Sequence, residues 1–530
     1  MSFFLDLIIS AAQSQYLVSA TLVILAALII SRVVYLLYIS PLSDIPGPWY
    51  AAVSDAWITY HVVRLEQCKI VQQLFEQYGP VVRIGPNKVV FRDLATTRSV
   101  YNHHKFDKST YYKSLLTNDG DHAMTTLEHA PHAMRRKAYA PHYTPTNLAL
   151  YQPEIHEAVL EMVEKLNGVT ESQPVECLRL FRHLAVDIVV NSSYGYRPGS
   201  IKKWASNVED KLSTAISDFP KRGILRSIFP TWAWNTICRI PNRRWRQLCD
   251  SDKIMAEFVS SQVQSTRADI ASGKAQVDCE KRPLLQRLLT HRYPSNEPMS
   301  DAHIISEAMG HMIAGADTTS VSLSYFFWEL TRRADIMAKL RQELDVAMLD
   351  GNSIPDITTL NKLPYLNAFV KEGLRLYGAA PSLLERVVPE STTSGPLNEG
   401  FNLMGFVLPP GTIVATQAWS LHRDSSVFYS PETFLPERWM EIRGQGIDNT
   451  AHLTKMSQYM MPFGTGSRVC GGQNLAQVML RVVVASIVRN FDIVAAAQTT
   501  EKTMEMKDSF VIFPASMECQ LRFMPRKCNT

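Results

Sequence analysis

Residues 300 to 333 read SDAHIISEAMGHMIAGADTTSVSLSYFFWELTRR, and this stretch limits the fold more tightly than any other. Ser300 or Asp301 is placed to cap a helix at one end. Arg332 and Arg333 close the other, where the helix dipole favours cations. At about 1.5 Å per residue such a helix runs roughly 50 Å, the width of a large domain, so the rest of the chain must pack around it. Its middle is unusual. Gly315, Thr318 and Thr319 are poor helix formers, and the carboxylate of Asp317 is costly to bury without a partner. Taken alone, this motif also fits a core helix with a hydrogen-bonded aspartate.

Helical periodicity dominates from about Val71 onward, and most of 150–390 reads as helix. Residues 78–93, YGPVVRIGPNKVVFRD, alternate between Gly-Pro turns and predict a β-hairpin. Residues 401–419 predict a second strand pair around Pro409, Pro410 and Gly411. No repeat occurs and no linker divides the chain after residue 45. The expected fold is therefore mainly α with small β-sheets, one large domain over 45–530. With 46% hydrophobic residues among 530, the chain has ample material for such a core. A net charge of +4 and the lack of a recognisable motif argue against nucleic acid as a partner. The eight cysteines are scattered without close pairs, the usage of a reducing compartment.

The N-terminus is of a different kind. From Leu7 to Ser31 no residue is charged, and about 20 apolar residues suffice to span a bilayer. A cleaved signal peptide would need a basic start, yet residues 1–15 hold no Lys or Arg. Residues 1–44 thus read as a retained membrane anchor, its helix about 16–39, running into a Pro-rich hinge at DIPGPWY. Positive charge lies only after the segment, which puts the downstream chain in the cytosol.

Three further motifs follow the long helix. KEGLRLY sets Glu372 and Arg375 at i, i+3 on one helical face. FLPERWM adds Arg438, a second guanidinium able to join them. FGTGSRVCGG holds Cys470 inside a run of glycines, with Phe463, Gly466, Arg468 and Gly472 around it. Any of these alone is unremarkable. Their order, AGADTT then ExxR then PERW then FxxGxRxCxG, resembles the cytochrome P-450 family of haem-thiolate monooxygenases, from about Ile45 to the end, and looks most like fungal microsomal members.

The resemblance implies haem b with Cys470 as the axial iron ligand. Glycines 464, 466, 471 and 472 would let backbone N–H groups approach the thiolate, and the following helix would aim its N-terminal dipole at it. It implies propionate contacts from Arg468, from His132 and Arg136 in HAPHAMRRKAY, and from Arg386 in LLERVV, with Phe463 and Gly472 also at the cofactor. His132 stands where the family usually has Trp. Asp317 and Thr318 match the family's acid–alcohol pair, which delivers protons with the help of a local helix distortion; Gly315 would leave room for dioxygen. Glu372, Arg375 and Arg438 match its structural cluster.

Three stretches would face the pocket: 111–126, 309–314 and 378–384. They are mostly apolar or small, which suits a lipophilic substrate, with terpenoid or other secondary-metabolite chemistry as the family analogy. No flavin or iron–sulfur segment is present. Electrons from NADPH would come through a separate membrane-bound cytochrome reductase, with the enzyme on the endoplasmic reticulum membrane. Residues 219–248 mix seven basic side chains with aromatic ones and no acidic one, which predicts a second membrane contact. Two other readings remain: a haem-thiolate enzyme that rearranges or dehydrates its substrate without a reductase, and a non-catalytic haem-binding sensor.

Overall fold

The computed structural model describes residues 2–117, 120–274, 280–348, 350–390, 400–441 and 448–526. In chain order, the helices that bear on function are α1 (Ser2–Val34), α2 (His129–Tyr139), α3 (Cys177–Tyr194), α4 (Lys211–Ile228), α5 (Thr231–Ile237), α6 (Arg243–Cys249), α7 (Asp301–Arg332), α8 (Pro364–Tyr377) and α9 (Gln473–Asn490).

The long predicted helix is α7. The Ser300 side chain accepts from the His303 N–H, and Arg332 ends the last turn. Leu323, Tyr325, Phe326 and Phe327 are four of five successive residues and all are fully buried, so α7 runs through the core rather than over it. Two glycines explain how closely its neighbours approach. A Cβ on Gly315 would lie 2.8 Å from Val189 of α3, and one on Gly373 of α8 would lie 2.2 Å from Phe326. Gly315 is therefore a close helix–helix contact, and it also lines the central cavity. The expected local distortion is missing: α7 is regular α-helix throughout.

Strands β1 (Val81–Gly85) and β2 (Lys88–Phe91) form the expected antiparallel hairpin. Two-residue strands follow, β3 (Asp107–Lys108), β4 (Val175–Glu176) and β5 (Arg386–Val387), and β3 pairs antiparallel with β5 so that Lys108 stands opposite Arg386. The 401–419 region departs from expectation. Strands β6 (Phe401–Leu403) and β7 (Phe406–Leu408) pair across Met404–Gly405, while β8 (Ile413–Ala415) leaves them to pair parallel with β2. Pro409 and Pro410 offer no N–H to a ladder, and Gly411 turns at φ 84, so the chain crosses here to the five-stranded sheet ordered β1-β2-β8-β5-β3. Strands β9 (Phe491–Ala495), β10 (Met506–Ser509), β11 (Val511–Pro514) and β12 (Gln520–Pro525) complete two small sheets; β10 and β11 form a hairpin.

Residues Tyr16–Ile39 make one helical stretch of 24 residues with mean hydropathy 2.5, long and apolar enough to cross a membrane. Its end is firmly held. The buried Arg83 guanidinium of β1 donates to the carbonyls of Leu36 at 2.8 Å, Leu42 at 3.3 Å and Pro86 at 2.9 Å. Gly47 in the hinge packs so close that a Cβ there would lie 2.3 Å from the Arg83 carbonyl.

The basic and aromatic stretch 219–248 divides its residues in a way its composition hides. Trp232 of α5 is 74% exposed, but Trp234 is 6% exposed and belongs to the interior. Arg244 and Lys221 pair with Asp218, and Arg222 lies 3.4 Å from Asp252, so part of the apparent basic excess is neutralised from outside or just before the segment.

Candidate active site

A cavity of about 520 Å³ lies between α7, α4, the cysteine loop and the five-stranded sheet. The three stretches expected to face it all do, through residues such as Tyr111, Leu115, Ile313, Ala314, Ala380 and Leu383. Two further segments line it. Pro220 and Gly223 of α4 roof it, where a Cβ on Gly223 would already meet Leu115 at 3.0 Å. The tip of the β10–β11 hairpin enters from the side, with Phe510 at φ 69, a turn conformation seldom taken by an aromatic residue.

Cys470 sits on the cavity floor. Of the six described cysteines, all free, it is the one classed as exposed, and it opens into this space. Gly464 and Gly466 turn the loop with φ of 75 and 74, and a Cβ on Gly466 would collide with the Tyr101 carbonyl at 2.2 Å. The Cys470 N–H donates to Phe463 O at 2.8 Å, which closes the loop. Burial raises the thiol pKa, and the backbone N–H groups of Gly472 and Gln473, with Arg136 nearby, pull it back. Those two amides begin α9, so the expected helix N-terminus does face the sulfur. Gly472 itself has an ordinary φ of −85 and room for a Cβ, so its backbone rather than its missing side chain serves the sulfur.

Cations gather on one wall. Arg468 donates to Thr126 O at 2.6 Å and to Leu127 O. Arg386 lies over the Tyr101 ring at 4.8 Å and donates to Glu385 O. Lys108, buried opposite Arg386 in the strand pair, donates to Met124 O at 2.5 Å. Burial and the neighbouring Arg386 bring Arg468 down to about 10. Burial, then Arg386 and Arg468, pushes Lys108 well below its usual value. His132 is buried with Nδ1 lacking any partner, and burial followed by Arg468 lowers it to about 3. Asp107 comes no nearer to Arg468 than 3.9 Å, and Glu385 is occupied by Lys88 and Ser109. A wall of this kind is short of anions, and a flat ligand with two carboxylates over a cysteine fits it.

Arg136 also lines the cavity, and its Nη1 donates at 2.6 Å to the carbonyl of Val469, which ties it to the cysteine loop. Lys108 was not singled out by sequence; a two-residue strand brings it in, and no periodicity marks it.

On α7, Asp317 is held by Arg182 Nε of α3 at 2.5 Å, and the Thr318 hydroxyl donates to Ala314 O at 2.7 Å while facing the cavity. Outside the cavity the predicted charge cluster assembles in full. Fully buried Glu372 accepts from Arg375 Nε and Nη2 at 2.9 and 2.8 Å, from Arg438 Nε at 3.0 Å and from Trp439 Nε1 at 2.9 Å. His422 connects this cluster to the cysteine loop. Its Nδ1–H donates to Arg375 O at 3.0 Å and its Nε2 accepts from the Met461 N–H at 2.8 Å.

Comparison with known proteins agrees with this geometry. The family model described as cytochrome P-450 matches residues 52–521. The chain belongs to the cytochrome P-450 family. As a member it is an oxidoreductase of the monooxygenase type. It is similar to the cytochrome P-450 monooxygenase cypX of Dothistroma septosporum, 29% identical over 91% of each chain. It is also similar to the cytochrome P-450 monooxygenase stcB of Emericella nidulans, 28% identical over 93% of this chain and 90% of that one. A third relative is the cytochrome P-450 monooxygenase aflV of Aspergillus parasiticus, 28% identical over 94% of each.

Proposed function

We propose that this P-450 holds haem b through the Cys470 thiolate and inserts one oxygen atom of O2 into a lipophilic small molecule of fungal secondary metabolism, a terpenoid being one skeleton of suitable size. The observation that carries the reading is a single free cysteine opening into an apolar cavity, with helix amides behind its sulfur and an anion-poor cationic wall beside it. Haem, when bound, supplies the one-electron chemistry that activates dioxygen, and a thiolate ligand favours O–O cleavage.

The chain's own residues bind, orient and protonate. Arg468, Arg386, Lys108 and His132 take the two propionates. Phe463 and the Gly472 amide shape the ligand side, and Arg136 steadies the loop through Val469 O. Thr318 holds a proton donor at the cavity wall, and Asp317 resupplies it by exchanging its Arg182 contact for the hydroxyl. Glu372, Arg375 and Arg438 hold the fold under the cysteine loop. Electrons come from NADPH through a separate membrane-bound reductase. The apolar 16–39 stretch supports a single-pass anchor that leaves residues 45–530 as a cytosolic catalytic domain on the endoplasmic reticulum membrane.

The test is the ferrous–CO spectrum, followed by product analysis under isotopically labelled dioxygen with reductase and NADPH. A red-shifted Soret band that Cys470→Ala loses, together with one labelled oxygen in the product, is expected. A histidine-type spectrum, or product carrying no label, refutes the reading.

A further inference from the structure

Beside the cysteine loop lies a set of side chains to which the haem reading gives no task. Tyr139 presses on Gly471, where a Cβ would come 2.7 Å from Tyr139 Cε2, and Tyr143 lies in ordinary contact with Gly472, 3.8 Å from where a Cβ would stand. Asn474 of α9 donates to the Tyr143 carbonyl at 2.9 Å and fixes that residue to the loop. The Tyr143 hydroxyl meets His311 Nδ1 of α7 at 3.0 Å. The other ring nitrogen of His311 faces Glu307 Oε1, one turn back on α7, at 3.4 Å. Glu307 is itself buried, accepts from the Ala123 N–H at 3.1 Å and lies 3.6 Å from Arg135. The tautomer with its proton on Nε2 leaves Nδ1 to accept from the phenol.

This order of groups suits one chemistry. A buried phenol resists simple ionisation, because an unpaired charge in the interior is costly. It can lose an electron only if its proton leaves at the same time to a base already in contact. Tyr143 has such a base, and the base has a carboxylate to hold the charge it gains. The location next to the ligand loop decides what would take the electron.

We propose that Tyr143 is a redox-active tyrosine that protects the haem centre. The proposal rests on haem at Cys470. When that centre has been oxidised by dioxygen or peroxide and no substrate accepts the oxygen, Tyr143 gives it one electron. The phenolic O–H bond breaks, the proton passes to His311 Nδ1, and a neutral phenoxyl radical remains while the haem centre is reduced by one electron. The resulting imidazolium is held by Glu307. Tyr143 returns to the phenol when the reductase supplies one electron and His311 hands the proton back; a second such electron transfer, with two protons from solvent, would bring the haem centre to its resting level and release the oxygen as water.

The experiment uses the full-length haem-loaded chain without substrate. Its ferrous–CO spectrum is read first, so that failure of the haem reading shows separately. The ferric protein is then mixed with hydrogen peroxide, freeze-quenched and examined by electron paramagnetic resonance, with haem bleaching followed in parallel. A tyrosyl signal is expected in wild type. Tyr143→Phe should lose it and bleach faster, and His311→Phe should weaken it. An undiminished tyrosyl signal in Tyr143→Phe, or none in wild type, overturns the proposal. Should Tyr143→Phe take up no haem, wild type with a nitroso spin trap still decides by peptide mass spectrometry. An adduct on Tyr143 supports the assignment, and adducts confined to other residues overturn it.

Discussion

Replacing His422 by phenylalanine tests how the charge cluster and the cysteine loop depend on each other. The ring is fully enclosed, and both nitrogens are used: Nδ1–H on the Arg375 carbonyl and Nε2 under the Met461 amide, at 3.0 and 2.8 Å. Phenylalanine keeps the volume and strands both backbone groups. Each buried unsatisfied group costs about 1–3 kcal/mol, so the variant should lose about 2–6 kcal/mol near neutral pH. Acid should reveal the same contacts with the opposite sign. Burial, and then the Arg423 and Arg375 charges against the helpful Arg375 carbonyl, bring the imidazole from 6.5 to about 3. Between those values the unfolded chain binds a proton that the folded chain refuses. This contribution to stability is therefore full above 6.5 and falls as pH drops, by about 1.4 kcal/mol per unit. From about pH 7 to about pH 5 wild type should lose about 2 kcal/mol more than His422→Phe, which has nothing to protonate there. Urea titrations followed by tryptophan fluorescence give both quantities, and haem content reports the state of the loop. Equal midpoints near neutrality, or parallel losses on acidification, would refute the linkage.

Glu372→Ala should yield protein nearly without haem, because it leaves two guanidinium groups buried with no carboxylate, a loss of about 3–5 kcal/mol; normal pyridine-haemochrome content would remove the structural assignment. Thr318→Ala should keep haem and NADPH consumption while peroxide rises at the expense of product, and an unchanged product-to-NADPH ratio would count against the proton role. A version lacking residues 1–44 should still bind anionic liposomes at low salt through the exposed Trp232, and Trp232→Ala should weaken that binding; flotation assays showing no binding would make the segment an ordinary surface loop. Trp234→Ala is expected instead to lower thermal stability, since that ring is interior.

What could be read from sequence was mostly local. Ser300 and the terminal arginines of α7, Glu372 and Arg375 one turn apart, and the glycines around Cys470 act within a few residues of themselves, so their chemistry is visible in the string. Arg438 was reachable only through its motif, and the structure brings it to Glu372 at 3.0 Å. The hidden features come from long-range pairing. Lys108 reaches the cationic wall because β3 pairs with β5, and β8 joins β2 across more than three hundred residues; strands of two and three residues carry too little pattern to announce either. The contact of Gly315 with Val189 shows only in the fold, because a glycine in a helix does not say which neighbour needs its space. The engagement of Arg136 with Val469 O depends on how a distant loop folds back over α2, which no local pattern shows.

The grip of Arg83 on the end of the N-terminal helix has a mechanical side. One guanidinium serves carbonyls from the last turn of that helix, from the hinge and from the first sheet, and none can be released without leaving a buried donor unsatisfied. The joint therefore has no swivel. If the helix tilts, the sheet tilts with it, and so do Lys88 and Glu385 at the cavity edge. Were the helix to sit in a bilayer, a change in its tilt would be passed to the sheet and not absorbed at the hinge. Lengthening the hinge by a few glycines would uncouple the two, leaving the catalytic fold intact but free to turn.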